Sequence, residues 1–483
     1  MSRQEKEFVK EITPREVDYS QWYLDVVLKA QLMDYSPVKG CMVIRPYGYA
    51  LWENMQQGLD RRIKATGHKN AYFPLFIPES LLQKETDHVE GFAPEVAWVT
   101  HGGNEKLAER LVVRPTSETI ICEMYSRWIQ SWRDLPVLIN QWCNVVRWEK
   151  VTRPFLRTSE FLWQEGHTAH SNEEEAEAET LQMLDVYQDF VENDLAVPVI
   201  TGRKTDNEKF AGALRTYTIE ALMSDGKALQ AGTSHNLGEH FARVFDITYL
   251  DRDGVLKYVW QTSWGVSTRL IGAIIMVHGD DRGLALPPKV APVQVVLVPI
   301  APKKAREAVL PHAQALLAEL QNAGVRVEMD DREEYSPGWK FNEWEMKGVP
   351  LRLEFGPRDL ESGQAVLVRR DTGAKEMVSL EELQERVAVL LGEIQVNMLE
   401  KARQFRETNT SRTDDYEEFK KIIEEKRGLI LSHWCGGGDC EQTIKEETKA
   451  TIRCLPFNLE KSTGKCLRCG SESGLAVYFA RAY

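Results

Sequence analysis

Arg147 and Glu149 close an apolar run, Asn144-Val145-Val146-Arg147-Trp148-Glu149, and Phe161, Trp163, Glu165 and His167 then recur at every second position. Alternate residues of a strand point to one face. The last four side chains therefore share a surface, and the polar stretch around Arg153 and Pro154 reads as a hairpin loop that brings Arg147 and Glu149 to it. An arginine can hold a phosphate or carboxylate bidentately, an aromatic ring can stack on a planar ligand, and glutamates accept hydrogen bonds from amines. A solvated hairpin face could carry any one of these groups; their convergence suits a phosphorylated, ring-bearing ligand beside an amine.

Three more stretches supply chemistry, each at the end of a predicted element. Leu111–Thr119 reads as a strand entering a helix, with Thr116 or Ser117 as the N-cap and Glu118 in the first turn. Ala228–Gly238 is a strand ending in a polar cluster; alternation puts Gln230 and Gly232 on one face and Thr233 and His235 on the other, unless Gly232 marks a bulge. Val259–Gly272 is a strand, a glycine turn at Gly265 and a helix whose first turn carries Arg269. The long helix predicted over Tyr49–Ala65 has apolar residues at Leu51, Met55, Leu59 and Ile63, stops at Gly67, and leads into an extended segment to Pro78. Residues 1–40 read as helix plus loop, and Asn172–Asp194 as an acidic, amphipathic surface helix.

At 483 residues the chain predicts roughly two to four domains. With 43% apolar and 28% charged residues it reads as soluble and globular. The amino terminus has no secretory pattern and the longest apolar runs are too short to cross a bilayer, so a cytoplasmic protein without membrane contact is expected. A net charge of −13 disfavours nonspecific coating of nucleic acid and leaves room only for local basic patches. No Walker A loop, G-x-G-x-x-G or Ser-His-Asp order is present. Pro287, Pro288 and Pro292 mark a linker, after which strands and helices alternate to Leu380 and beyond, predicting an α/β domain with a mainly parallel sheet. Eight cysteines are unevenly placed: Cys435 and Cys440, then Cys466 and Cys469, form two pairs compatible with a closed, structural tetrahedral zinc site, and Cys454 lacks a near partner.

The Arg147-x-Glu149 strand resembles motif 2 of the class II aminoacyl-tRNA synthetases, Gly265 with Arg269 resembles motif 3, and the helix and strand from Tyr49 to Pro78 resemble motif 1, the family's dimer interface. Pro154–His167, Thr116-Ser117-Glu118, Gln230–Asn236 and the cysteine-bearing appendix ending in Tyr483 are similar to prolyl-tRNA synthetases of the archaeal/eukaryotic-like branch. The resemblance covers essentially the whole chain. It implies an α+β catalytic domain with an antiparallel sheet (1–286), an α/β anticodon-binding domain (287–407) and a small α+β zinc-binding domain (408–483). It implies a homodimer acting on L-proline, ATP with Mg2+, and proline tRNA.

Carried over residue by residue, the resemblance assigns proline to Thr116, Glu118, Arg147, Trp163, His167, His235 and Ser263. It assigns ATP to Arg147, Glu149, Arg157, Thr158, Phe161, Gln230, Thr233 and Arg269, with Arg147 and Arg269 catalytic. Tyr483 is expected to turn back toward the catalytic domain, its α-carboxylate facing Arg153 and Arg157. Gly338, Trp339, Lys340, Glu345, Lys347, Arg352, Arg358 and Asp359 are the tRNA candidates. Two other readings fit: a same-class enzyme for another small amino acid such as threonine, and a synthetase-like tRNA-binding or regulatory protein without activity. The threonine enzymes use a catalytic zinc, whereas these cysteine pairs lie far from the motifs, and intact Arg147 and Arg269 oppose the second reading.

Overall fold

Apolar residues at helical spacing bury one side of Pro46–Ala65 in the computed structural model, which describes residues 12–84, 96–302, 304–459 and 462–483. Leu51, Met55, Leu59 and Ile63 are each at most 1% exposed. The helix stops before Gly67, whose φ of +92° is left-handed. Of the segment read as helix plus loop, residues 1–11 lie outside the described residues, and a helix spans Tyr19–Lys29.

The central sheet is antiparallel where the site is built. Val137–Val146 pairs with Glu160–His170, followed by Trp260–Ser267, Ala228–Gly238, Arg215–Leu222 and Val199–Arg203. Helices Pro46–Ala65, Glu173–Asn193 and Arg269–His278 share one apolar core with it. Glu173–Asn193, expected as a surface helix, buries Met183, Leu184, Tyr187 and Phe190 in that core and shows only its acidic side. On the face opposite the functional one, Gly166 is required by packing: a Cβ there would lie 2.1 Å from the Trp264 ring.

The proline-rich segment after Leu284 is an ordered seam and not a loose linker. Leu284, Leu286, Val290 and Ala291 are buried, and the Leu284 and Leu286 amides donate to Met346 O and Gly348 O at 2.9 and 3.1 Å. In the α/β unit, Val295–Pro299 lies parallel to Val327–Met329 and Leu351–Phe355; Gln364–Arg369 and Lys375–Ser379 add two antiparallel pairings. The sheet is therefore mixed, not mainly parallel, because the last three strands are joined by the short helix Pro357–Ser362 and by a tight hairpin, both too short for a parallel crossover.

The carboxy-terminal unit has its own apolar core around Phe419, Ile452 and Phe479. Apart from a two-stranded ribbon, Gly464–Lys465 with Glu472–Ser473, its strands do not form a separate sheet. Leu455 and Pro456 pair with Arg203 and Gly202, so Thr451–Pro456, Ala476–Ala480, Leu429–His433 and Thr410–Arg412 extend the catalytic sheet to eleven strands. Among the described residues no helix is long and apolar enough to cross a membrane.

Candidate active site

The antiparallel register of Val137–Val146 on Glu160–His170 carries the chain from Val146 into Arg147, whose amide donates to Ser159 O at 2.8 Å. Arg147 Nε donates to Pro115 O at 3.1 Å, and its guanidinium carbon lies 5.6 and 5.4 Å from the Phe161 and Trp163 ring centroids. Arg147, Phe161, Trp163, Glu165 and His167 all line one cavity of about 270 Å3. The period-two reading of that strand is thus correct.

Thr116, Glu118, His235 and Ser263 line the same cavity. Ser117 is the helix N-cap, but its hydroxyl donates to Glu165 Oε1 at 2.5 Å instead of capping. The Thr116 hydroxyl donates to the Glu118 carboxylate. Gln141 Nε2 and His167 Nε2 donate to Glu165 at 2.8 and 3.0 Å. Burial opposes charge on both His167 and Glu165, yet their mutual contact wins: the His167 pKa is raised, with Glu118 assisting, and that of Glu165 is lowered, with Ser117 and Gln141 assisting. His235 is pushed down to about 3 by burial and by the neighbouring His167, so it is neutral. Ser263 Oγ is buried with no hydrogen-bond partner among the described residues, which leaves it free for a ligand.

Gln230, Thr233 and Arg269 also line the cavity. Simple alternation would separate Gln230 from Thr233, and a bulge reconciles them. Gln230 pairs with Glu220 and Gly232 with Ile219, so Ala231 is the extra residue that turns both side chains inward. Arg269 is the first residue of its helix; burial and then the Arg147 charge pull its pKa down to about 10, and it stays cationic at neutral pH. Two guanidinium groups thus face one cavity, an arrangement for polyanionic ligands.

Glu149, Arg157 and Thr158 lie in the hairpin loop outside the cavity lining: Arg157 pairs with Glu149 at 2.7 Å, and the Thr158 hydroxyl donates to Glu160 O at 2.7 Å. Glu208, Lys209, Phe210 and Thr216 line the cavity and were not singled out from the sequence. The one local signal was Thr216, Thr218 and Glu220 alternating along an otherwise apolar strand. Tyr483 does reach the catalytic unit, by its backbone and its ring: its amide donates to Ala228 O at 3.2 Å, the ring centroid is 5.4 Å from the Arg153 guanidinium carbon, and the phenol donates to Asp225 Oδ2 at 2.6 Å. Arg157 is engaged with Glu149.

In the α/β unit, Glu345 and Arg352 line a second cavity of about 340 Å3 together with Arg282, Arg369, Arg370 and Lys375. Arg358 is exposed on a neighbouring short helix, and Asp359 accepts from the Gly356 amide at 2.8 Å as its cap. Lys340 is buried and donates to Asp330 O at 3.0 Å; Lys347 pairs with Glu343 at 3.0 Å. The Cys435, Cys440, Cys466 and Cys469 sulfurs lie within 4.8 Å of one another. Tetrahedral zinc with four thiolates sets its sulfurs about 3.8 Å apart, so this all-sulfur donor set fits the ion. Cys454 is buried elsewhere, beside Glu220 and Lys204, and burial lifts its thiol to about 12.

Residues 98–278 match the family model described as tRNA synthetase class II core domain (G, H, P, S and T), 294–390 match the anticodon binding domain, and 416–483 match the prolyl-tRNA synthetase C-terminal domain. The chain is 67% identical to a proline--tRNA ligase of Natranaerobius thermophilus and 64% identical to one of Alkaliphilus oremlandii, in each case over 100% of both chains. It is 61% identical to proline--tRNA ligase 2 of Clostridioides difficile, again over the full length of both. With motifs 2 and 3 converging on one cavity and its last residues matching the family's C-terminal domain, the chain belongs to the class II prolyl-tRNA synthetases.

Proposed function

We infer that the protein activates L-proline with ATP and transfers it to proline tRNA, releasing AMP and pyrophosphate. The observation that carries this is one cavity holding two arginines, Arg147 and Arg269, together with a Thr116–Glu118 pair and a neutral His235. A carboxylate is already a nucleophile, so the first step needs positioning and charge stabilisation and no general base. Arg147 holds the proline carboxylate against the α-phosphate; Arg269 holds the outer phosphates of ATP, which enters with its magnesium as substrate, near Gln230 and Thr233. Phe161 stacks on adenine, and Glu149, Arg157 and Thr158 close over the nucleotide from the hairpin loop. The secondary ammonium of proline has two N–H donors; Glu118 and Thr116 take them, and Trp163, His167, His235 and Ser263 wall the ring. In the second step the terminal ribose hydroxyl of tRNA attacks the adenylate.

The proposed domain boundaries are 1–286 for catalysis, 287–407 for the anticodon and 408–483 for the appendix. Glu345 and Arg352 in the second cavity, and Arg358 and Asp359 on the helix Pro357–Ser362, are the proposed tRNA contacts. Cys435, Cys440, Cys466 and Cys469 would hold a structural zinc that fixes the appendix. We place the protein in the cytoplasm as a homodimer joined through the Pro46–Ala65 helix and the strand after it. Labelled proline incubated with ATP and proline tRNA should become acid-precipitable in an enzyme-dependent way; precipitation that fails although the adenylate forms would confine the protein to the first step.

A further inference from the structure

Between the strands Val199–Arg203 and Arg215–Leu222 the chain forms an irregular segment with neither helix nor strand, and this segment roofs the cavity with Glu208, Lys209 and Phe210. Fixing an irregular segment costs conformational entropy at each residue, so something must hold it. The holding contacts come from the carboxy-terminal unit. Thr205 Oγ1 donates to Glu441 Oε1 at 2.7 Å, and Asn207 Nδ2 donates to Glu441 Oε2 at 3.1 Å. Lys445, one turn on in the same helix (Gly438–Thr448), pairs with Glu208 at 2.9 Å. Glu441 is only 4% exposed. Burying a carboxylate is costly unless its oxygens are satisfied, and here each oxygen takes a donor from the segment.

The far end of the segment meets the amino-acid pocket. The Phe210 ring lies 4.7 Å from that of His235, and the Phe210 amide donates to Thr216 Oγ1 at 3.0 Å. The same hydroxyl is 3.0 Å from His235 Nδ1. Having accepted from Phe210, Thr216 can give its own proton to Nδ1, so that the neutral ring presents Nε2–H to the cavity. Helix 438–448 is therefore connected, through Thr205, Asn207 and Phe210, to the orientation of His235.

We propose that Glu441 is a positioning residue for the known reaction: its carboxylate clamps segment 204–210 so that Phe210 and Thr216 hold His235 in the orientation that receives the amino acid. The proposal rests on the reading that this cavity binds proline. The Glu441 contact thereby bears on the amino-acid end of the cavity through Phe210 and His235, separately from the Tyr483 contact on Arg153 in the hairpin loop.

The test uses the full-length protein in proline-dependent ATP–pyrophosphate exchange, with hydrogen exchange over residues 204–212 measured in parallel. Glu441→Ala should raise the KM for proline roughly ten-fold and leave the KM for ATP within about two-fold. Amide exchange over 204–212 should become roughly ten-fold faster or more. Glu441→Gln, which keeps an acceptor oxygen and lets the Asn207 amide turn over to pair with it, should recover most of both effects. If Glu441→Ala does not fold, Asn207→Ala removes the contact from the segment side and should show the same split in weaker form. The proposal requires both changes: an unaltered proline KM, an unaltered exchange rate, or equal losses for proline and ATP overturns it. A wild-type protein without proline-dependent exchange would instead refute the functional reading, and amide exchange would still decide whether Glu441 clamps the segment.

Discussion

Arg147 is held from three sides, by Pro115 O and by the rings of Phe161 and Trp163. Arg147→Ala should leave the fold intact and slow adenylate formation ~10²–10³-fold, the usual cost of losing one transition-state charge contact; near-normal pyrophosphate exchange in the variant would remove Arg147 from the mechanism. Buried histidines give a second expectation. His278 is brought down to about 4 by burial, its Nε2 lying 3.0 Å from Leu195 O, and His235 to about 3. In the unfolded chain both protonate near 6.5, so below that pH the unfolded state binds more protons and stability falls toward pH 4. His278→Gln should flatten this acid dependence of the Tm, and a variant with the wild-type slope would contradict it. His167 has the opposite sign: its raised pKa gives stability that is complete below 6.5 and lost as the pH rises through the folded value. Most of these residues were legible in the sequence because strand alternation is a short-range rule: Phe161, Trp163, Glu165 and His167 followed from it directly. Gln230 with Thr233 was left open: Gly232 pointed to a bulge that would shift the period by one residue, but only the strand pairing decides whether it forms. Phe210 was missed because an irregular segment has no period at all.

Elements with a strong period were read well: Pro46–Ala65 begins three residues before the expected Tyr49–Ala65, and Arg269 opens its helix as expected. Contacts made across distant sequence were not legible. Nothing local in Arg203 or Leu455 announces that they pair and join the appendix to the catalytic sheet. Two expectations belong to the appendix. The purified protein should carry one zinc per chain through Cys435, Cys440, Cys466 and Cys469, and Cys466→Ser with Cys469→Ser should release it and lower the unfolding temperature of this unit; wild-type protein free of metal by elemental analysis would refute the site. Deleting Arg481–Tyr483 removes the ring over Arg153 and the phenol on Asp225. The truncated protein should lose proline activation more than thermal stability, and unchanged pyrophosphate exchange would leave these contacts without a role in catalysis.

Over the whole molecule the net charge is −13, and five cations gather around the second cavity, Arg282, Arg352, Arg369, Arg370 and Lys375, each paired with a carboxylate that a phosphate would have to replace. Long-range attraction for tRNA must come from such patches, since the bulk charge repels a polyanion. The KM for tRNA should accordingly rise steeply with salt while that for proline barely moves; a salt-independent tRNA KM would argue against that surface. All of this depends on the cavity of the central sheet accepting proline and ATP together. ATP–pyrophosphate exchange driven by each amino acid separately tests that most directly. Proline should drive exchange strongly while threonine and the other amino acids fall well behind; exchange driven best by threonine, or by none of them, would contradict it.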